Sequence, residues 1–185
     1  SLIKDWRNGI QHSIPINANF TLFKFINVNP SFNFVDRMYS NKVTRSWNAV
    51  TQKEEADTTY GFHNVYNWSM SLSMSTKLYG FYVPNRKIFG DKIRAIRHVV
   101  TPSVSLNYAP DFGTARYGYY QTYQKTDAAG NVSLVEYSPY QNNIYGVPGR
   151  GRTGSISMSL DNNIEMKVKS DKDTTGVKKI SIIDA

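Results

Sequence analysis

The chain has 185 residues, enough for one domain of ordinary size, and its 40% apolar content is a little low for a well-buried globular core. Having no cysteine, it is excluded from disulfide and thiolate chemistry; its net charge of +8 admits nucleic acid, an anionic membrane surface or an acidic ligand as partner. The start, Ser-Leu-Ile-Lys-Asp-Trp-Arg, lacks the apolar core of a signal peptide, and no run approaches the ~18 apolar residues of a membrane helix, which says nothing against a barrel of short alternating strands.

Side chains that alternate with a period of two mark β-strands. In the first run, 10–23, Ile10, Ile14, Ile16, Ala18, Phe20 and Leu22 share one parity, while Gln11, Ser13, Asn17, Asn19 and Thr21 share the other; His12 is the exception. Pro15 cannot donate a ladder hydrogen bond, which predicts a bulge or a weakly paired neighbour. After a short connection at 24–27, Val28, Pro30, Phe32, Phe34 and Met38 oppose Asn29, Ser31, Asn33, Arg37 and Tyr39, and this strand is expected to run to about Trp47. A charged loop with Lys53, Glu54, Glu55 and Asp57 is expected at about 48–59.

The third strand enters near Tyr60 and carries the sharpest contrast in the chain. Trp68, Met70, Leu72, Met74 and Leu78 oppose Ser69, Ser71, Ser73, Ser75 and Lys77. A basic connection with Arg86, Lys87, Lys92, Arg94 and Arg97 comes next, at about 81–97. In the fourth strand, from near His98, Val100, Pro102, Val104, Leu106 and Tyr108 oppose Thr101, Ser103, Ser105 and Asn107. The longest irregular segment, about 109–152, holds Tyr117, Tyr119, Tyr120 and Tyr123, a hairpin-like turn at 127–131 and a glycine-rich turn at 146–152. In the fifth strand, Ile156, Met158, Leu160, Ile164, Met166 and Val168 oppose Ser155, Ser157, Ser159, Asp161, Asn163, Glu165, Lys167 and Lys169, and Asn162 is a polar intruder on the apolar parity. A polar turn at 170–176 and the start of a sixth strand at 177–183 end the pattern.

Two features separate a membrane barrel from a soluble sandwich. The connections tend to alternate between short and long, as they do between the periplasmic and outer rims of such barrels, with 48–59 and 109–152 as the long extracellular loops. The polar parity is nearly pure Ser, Asn and Thr with a few charges, as a wet lumen favours. Trp47, Tyr66, Trp68, Tyr79 and Tyr108 lie towards strand ends, where aromatic girdles belong. About 11 residues at ~3.3 Å rise and ~45° tilt cover roughly 25 Å, the height of an apolar barrel band. In lipid every backbone group must be paired, so the sheet must close, and the bacterial minimum is ~8 strands. The expected fold is therefore all-β: a section of about five to six antiparallel strands from a large transmembrane up-and-down barrel, with 1–185 all part of that one domain. Lumen-facing candidates are Arg37, Ser69, Ser71, Ser73, Lys77, Ser103, Ser105, Asn107, Ser157, Asp161, Glu165 and Lys167. Lipid-facing candidates are Phe32, Phe34, Trp68, Met70, Leu72, Met74, Val104, Leu106, Ile156, Met158, Leu160 and Met166.

Little in the sequence points to catalysis. His12, His63 and His98 are too widely spaced for a metal site, and no nucleophile constellation is present. The 146–154 segment lacks the Gly-Lys-Ser/Thr ending of a phosphate loop, and Glu54, Glu55 and Asp57 read as a solvated loop. The basic residues are scattered along the chain, which argues against nucleic acid. The expectation is a non-enzyme with no cofactor.

Several longer words carry a resemblance. Arg97-His98-Val99-Val100-Thr101-Pro102-Ser103-Val104-Ser105-Leu106-Asn107-Tyr108-Ala109-Pro110-Asp111-Phe112 resembles a segment of the lipopolysaccharide-assembly outer-membrane barrel family (LptD-like), in its Bacteroidetes-type branch. Tyr117-Gly118-Tyr119-Tyr120, Ile144-Tyr145-Gly146-Val147-Pro148, and Leu160 through Ser170 with Lys172-Asp173-Thr174-Thr175-Gly176 behind it resemble the downstream strands and loops of that family, and Gly9 through Ile16 resembles an upstream strand. The resemblance implies a barrel of the Gram-negative cell outer membrane that takes lipopolysaccharide from a periplasmic bridge and inserts it into the outer leaflet, with a plug lipoprotein in its lumen. No gate residue is carried over. On that reading Arg37, Lys77, Lys167 and Lys169 either meet phosphates of the glycolipid, or balance acids such as Asp161 and Glu165 or touch the plug. Another outer-membrane transport or secretion barrel, or a soluble glycan-binding β-sandwich, are the alternatives.

Overall fold

The computed structural model describes residues 9–90, 92–169 and 177–184. The polar start of the chain and the polar turn expected at 170–176 lie outside them. β1 (Gly9–Asn17) and β2 (Phe20–Leu22) both pair with β3 (Ile26–Asn48), so the first alternating run is one strand line interrupted at 18–19. β4 (Lys53–Thr76) and β5 (Leu78–Tyr82) likewise both pair with β6 (Ile93–Ala109), broken only at Lys77. β7 (Gln121–Thr126) and β8 (Val132–Tyr137) form a separate hairpin, and β9 (Thr153–Lys169) and β10 (Val177–Asp184) complete the main sheet. Its order is β1-β3-β4-β6-β9-β10. Each strand line lies beside the next in sequence, and the pairing is antiparallel, so the chain is all-β and a section of an up-and-down barrel. Among the described residues the sheet ends at β1 and β10.

Two local readings change. The region expected as a loop at 48–59 is mostly strand: β3 reaches Asn48 and β4 begins at Lys53, leaving a four-residue turn with Gln52 at φ 53°. Its two glutamates have cross-strand partners, Arg45 Nη1 donating to Glu54 Oε1 at 2.6 Å and Asn48 Nδ2 to Glu55 Oε1 at 2.6 Å. The basic connection at 81–97 is shorter than expected, because β5 extends to Tyr82 and β6 starts at Ile93, with only the one-turn α1 (Arg86–Phe89) between. Pro15 lies inside β1, the end strand of the described sheet, where one side lacks a neighbour and a missing donor is tolerated, in keeping with the weakly paired neighbour expected there.

The contacts divide the chain into two compact units that cut across the strands: Ser1–Ile16, Ser31–Met70 and Asn107–Gly154 form the first, and Asn17–Pro30, Ser71–Leu106 and Ser155–Ala185 the second. The buried cluster belongs to the first unit, where Tyr39 and Val65 meet Phe112, Tyr119 and Tyr140 from the long segment after β6. Its strands contribute only two of these residues, as befits a sheet whose other faces look outward. Gly9 is needed at the mouth of β1, since a Cβ there would sit 2.9 Å from Tyr39 Cδ1 and 3.1 Å from the Met38 carbonyl oxygen.

Candidate functional site

In the second unit the serines of the polar parity touch one another. Ser73 and Ser105 share a hydrogen bond of 3.0 Å, and Ser103 and Ser159 one of 2.6 Å. Both β6 serines lie on the same face, because alternate residues of a strand do. The same parity of β6 leads through Thr101 and Val99 to Arg97. There Arg97 Nη2 donates to Glu165 Oε2 at 2.6 Å, and Lys179 Nζ meets Glu165 Oε1 at 2.8 Å. Two adjoining cavities share Arg97 and Glu165. One, of about 350 Å³, is also lined by Lys77, Tyr79 and Asp161; the other, of about 380 Å³, by Phe81, Lys167 and Lys179. Four cations thus surround two carboxylates.

Of the expected polar-face residues, Lys77, Asp161, Glu165 and Lys167 are brought to this pocket. Ser73, Ser103 and Ser105 form the hydroxyl pairs, Ser71 is half-buried on β4, and Ser157 is exposed on β9. In the first unit Arg37 Nη1 donates to Asn67 Oδ1 at 2.5 Å, Ser69 is half-buried and Asn107 is exposed. The pairing for Glu165 is with Arg97 and Lys179, neither of which alternation singles out: Arg97 reads as part of a basic connection, and Lys179 lies in a strand of which only the start is legible.

The apolar parity behaves differently. Phe32 stacks on Trp68 and Phe34 on Tyr66, each with centroids 5.9 Å apart. Met70, Ile156, Met158 and Leu160 are exposed, the last three to 68%, 78% and 60%, and Leu72, Met74, Val104, Leu106 and Met166 are half-buried. Asn162, the polar intruder, acquires a cross-strand partner: its Oδ1 is 3.2 Å from His98 Nε2.

The segment between β6 and β9 forms a cap in the first unit. It reaches the edge of β3 through Val43 N–H donating to the Pro139 carbonyl at 2.9 Å, Arg45 N–H to Tyr137 Oη at 3.0 Å and Asn143 Nδ2 to the Asn41 carbonyl at 3.1 Å. On β4 it grips Tyr66: the Tyr119 hydroxyl accepts from the Tyr66 N–H at 2.8 Å and donates to the Tyr66 carbonyl at 3.0 Å. Between these anchors Tyr140 stacks on Tyr39 and meets His63 edge-on, over the parity that carries Arg37, Asn67 and Ser69. The tyrosine cluster is therefore structural cover, a role that sequence alternation alone does not show.

The two ends of the cap are tied by Asp111, whose Oδ1 accepts from the Gly151 N–H at 2.8 Å and the Gly113 N–H at 2.7 Å. These two donors, first Gly151 and then Gly113, hold the carboxyl below its usual range. A depressed carboxyl contributes stability above its unfolded value and loses it as pH falls through the folded one. The protection of the Gly113 and Gly151 amides, taken as exchange relative to the intrinsic rate at each pH, is therefore expected to be high at neutral pH and to fall in acid, below about pH 4. Asp111→Ala should show the reduced protection already at pH 7, and a variant as protected as the parent would show that Asp111 does not tie the segment.

The family model described as LptD protein matches residues 1–185, the whole chain. The chain belongs to the LptD family. The LptD family is one of outer-membrane proteins, and membership ties the chain to lipopolysaccharide transport and assembly. No curated protein and no solved structure matches it. For an LptD-family section, the features on hand are a hydroxyl-lined face with one charged pocket, an apolar face left open, and a folded cap. Among the described residues no group of three or more His, Cys, Asp or Glu is placed to hold a metal. What such a surface does chemically is bind and guide polar or charged ligands through hydrogen bonds and charge.

Proposed function

We propose that this chain is part of the wall of an outer-membrane barrel that inserts lipopolysaccharide into the outer leaflet. The serine parity then lines a watery lumen and the opposite parity meets lipid. The observation that carries the reading is the pairing of those two faces in one meander: hydroxyls bonded to each other on one parity, and Ile156, Met158 and Leu160 left exposed on the other. A soluble sheet buries such a face under a second layer; lipid makes that layer unnecessary. Since a sheet with open ends is not viable in a bilayer, β1 and β10 continue into further strands of the barrel. The 109–152 cap, folded over the parity of Arg37 and Ser69, narrows the lumen at the outer rim, and the lumen receives a plug lipoprotein while a periplasmic bridge delivers the glycolipid. Against the soluble glycan-binding sandwich stand the exposed Ile156, Met158 and Leu160, which such a fold covers with its second sheet.

Conditional depletion of the full-length protein tests this. Lipopolysaccharide is expected to disappear from the cell surface, read by binding of a labelled polymyxin to intact cells, while the total amount made is unchanged. Normal surface lipopolysaccharide after depletion would reject the reading in favour of another transport or secretion barrel.

A further inference from the structure

We propose that the two cavities sharing Arg97 and Glu165 form a binding site for a phosphorylated saccharide. Three observations converge there. First, the charge does not balance: Lys77, Arg97, Lys167 and Lys179 stand against Asp161 and Glu165. Glu165 is occupied by Arg97 and Lys179 at 2.6 and 2.8 Å, which holds those two cations in place; with Lys77 and Lys167 set against Asp161, the pocket keeps an excess of positive charge. Second, Arg97 Nε is buried and has no hydrogen-bond partner, although the same guanidinium is fixed through Nη2. Arg37 Nε and Arg45 Nε are orphaned in the same way, so the orphan does not mark the site by itself; what counts here is that the Arg97 side chain is 40% exposed beside the cavity and open to an acceptor. A phosphate group supplies several oxygens and suits a guanidinium flanked by ammonium groups.

Third, the cavities have an aromatic floor. Tyr79 and Phe81 occupy alternate positions of β5, with ring planes 10° apart and centroids 6.4 Å apart, and both rings are exposed. Phe81 lies directly opposite Arg97 in the β5–β6 register, and each ring lines one of the two cavities. A pair of exposed, nearly parallel aromatic rings beside cations is superfluous for a bare anion. It fits a ligand with an anionic group attached to a ring whose C–H face is apolar, which describes a sugar phosphate. The ligand is a free sugar phosphate or the head group of a glycolipid. The site rests on the transport reading for its face being open to the lumen, and deepens that reading by naming which part of the cargo the wall holds.

The test is equilibrium binding to the full-length protein in lipid nanodiscs, followed by saturation-transfer NMR, which needs no export to take place. Glucosamine 1-phosphate is expected to bind at least ~10-fold tighter than glucosamine or inorganic phosphate, as one or two charge-assisted bonds supply. The double variant Lys77→Gln/Lys167→Gln should lose about tenfold for both phosphate-bearing probes and should not weaken glucosamine, whose own ammonium then meets fewer like charges. Phe81→Ala should weaken both sugars by roughly 2–10-fold and leave phosphate unchanged. A second arm uses diphosphorylated lipid A: tighter binding than glucosamine 1-phosphate assigns the site to a glycolipid head group, and equal binding assigns it to a free sugar phosphate. Equal affinity for glucosamine and its phosphate, or parental binding by the folded variants, would overturn the proposal. So would a double variant that loses only a co-purifying lumen protein, since the pocket would then be a protein contact. Loss of surface lipopolysaccharide on depletion together with no sugar-phosphate binding would leave the transport reading standing and remove this one.

Discussion

Leu72→Arg in the full-length protein is expected to destabilise the barrel in a bilayer by about 2–4 kcal/mol, whereas Ser73→Arg, one residue away, should cost about 1 kcal/mol or less. Adjacent positions of β4 point to opposite faces, so the pair isolates the environment of each face while holding strand, depth and substitution constant. If the apolar parity meets lipid as proposed, an arginine at 72 must enter lipid or drag water and headgroups towards itself. At 73 the same side chain enters a face already carrying hydroxyls, and its cost is the 3.0 Å hydrogen bond to Ser105 with some local crowding. The denaturant midpoint of protein folded into liposomes, or the folded fraction judged by gel mobility without heating, reads the difference. Equal costs at the two positions would remove the assignment of apolar parity to lipid and serine parity to lumen. The inverted result would exchange the faces.

The strands were legible in the sequence because each long run has one apolar and one polar parity, and that contrast survives without any knowledge of neighbours. The same dependence explains the misreading of 48–59. Lys53, Glu54, Glu55 and Asp57 show no apolar parity, yet the backbone there is strand, held in part by pairs that only a register reveals, such as Arg45 with Glu54 and Asn48 with Glu55. Asn162 is a similar case: a polar residue at an apolar position looks like an error until His98 is brought alongside it. Register also hid the charged pocket. Glu165 and Lys167 were visible on the polar parity, but Arg97 is 68 residues away from Glu165 and reaches it only after β6 and β9 pair.

The cap was the least legible part. Its contacts with the strands span long sequence separations, as in the 2.7 Å bond from the Tyr39 hydroxyl to the Gly146 carbonyl, and they join irregular backbone to strand edges. Composition signalled the tyrosines and nothing signalled where their rings would lie. A cluster of exposed tyrosines and a cluster buried against a sheet have the same sequence. The burial of Pro139 and Val65 beside Tyr39 decides for the second. In a section whose strands mostly look outward, this makes the region between β6 and β9 the main packed core.

Tyr119→Phe is expected to open that core. The substitution keeps the ring, with its edge contacts to Tyr66 and Tyr140 and its stacking on Tyr117 at 5.5 Å, and removes one oxygen. That oxygen serves both the N–H and the carbonyl of Tyr66, so its loss strands two backbone groups in a site where Tyr119 is only 3% exposed. An unsatisfied buried group costs about 1–3 kcal/mol, so a loss of about 2–4 kcal/mol in local stability is expected, or roughly 30–1,000-fold faster amide exchange at Tyr66 and through the cap. Alkali provides an independent check. Burial pushes the Tyr119 hydroxyl up to about 12, so the bond to the carbonyl is fully present below about pH 10 and is lost as pH rises through about 12. The parent should therefore show cap opening in strong alkali with a step that Tyr119→Phe lacks. Exchange at Tyr66 as slow in the variant as in the parent would mean that ring packing alone holds the cap, and that the strand edge beside Tyr66 is satisfied by something other than the Tyr119 hydroxyl.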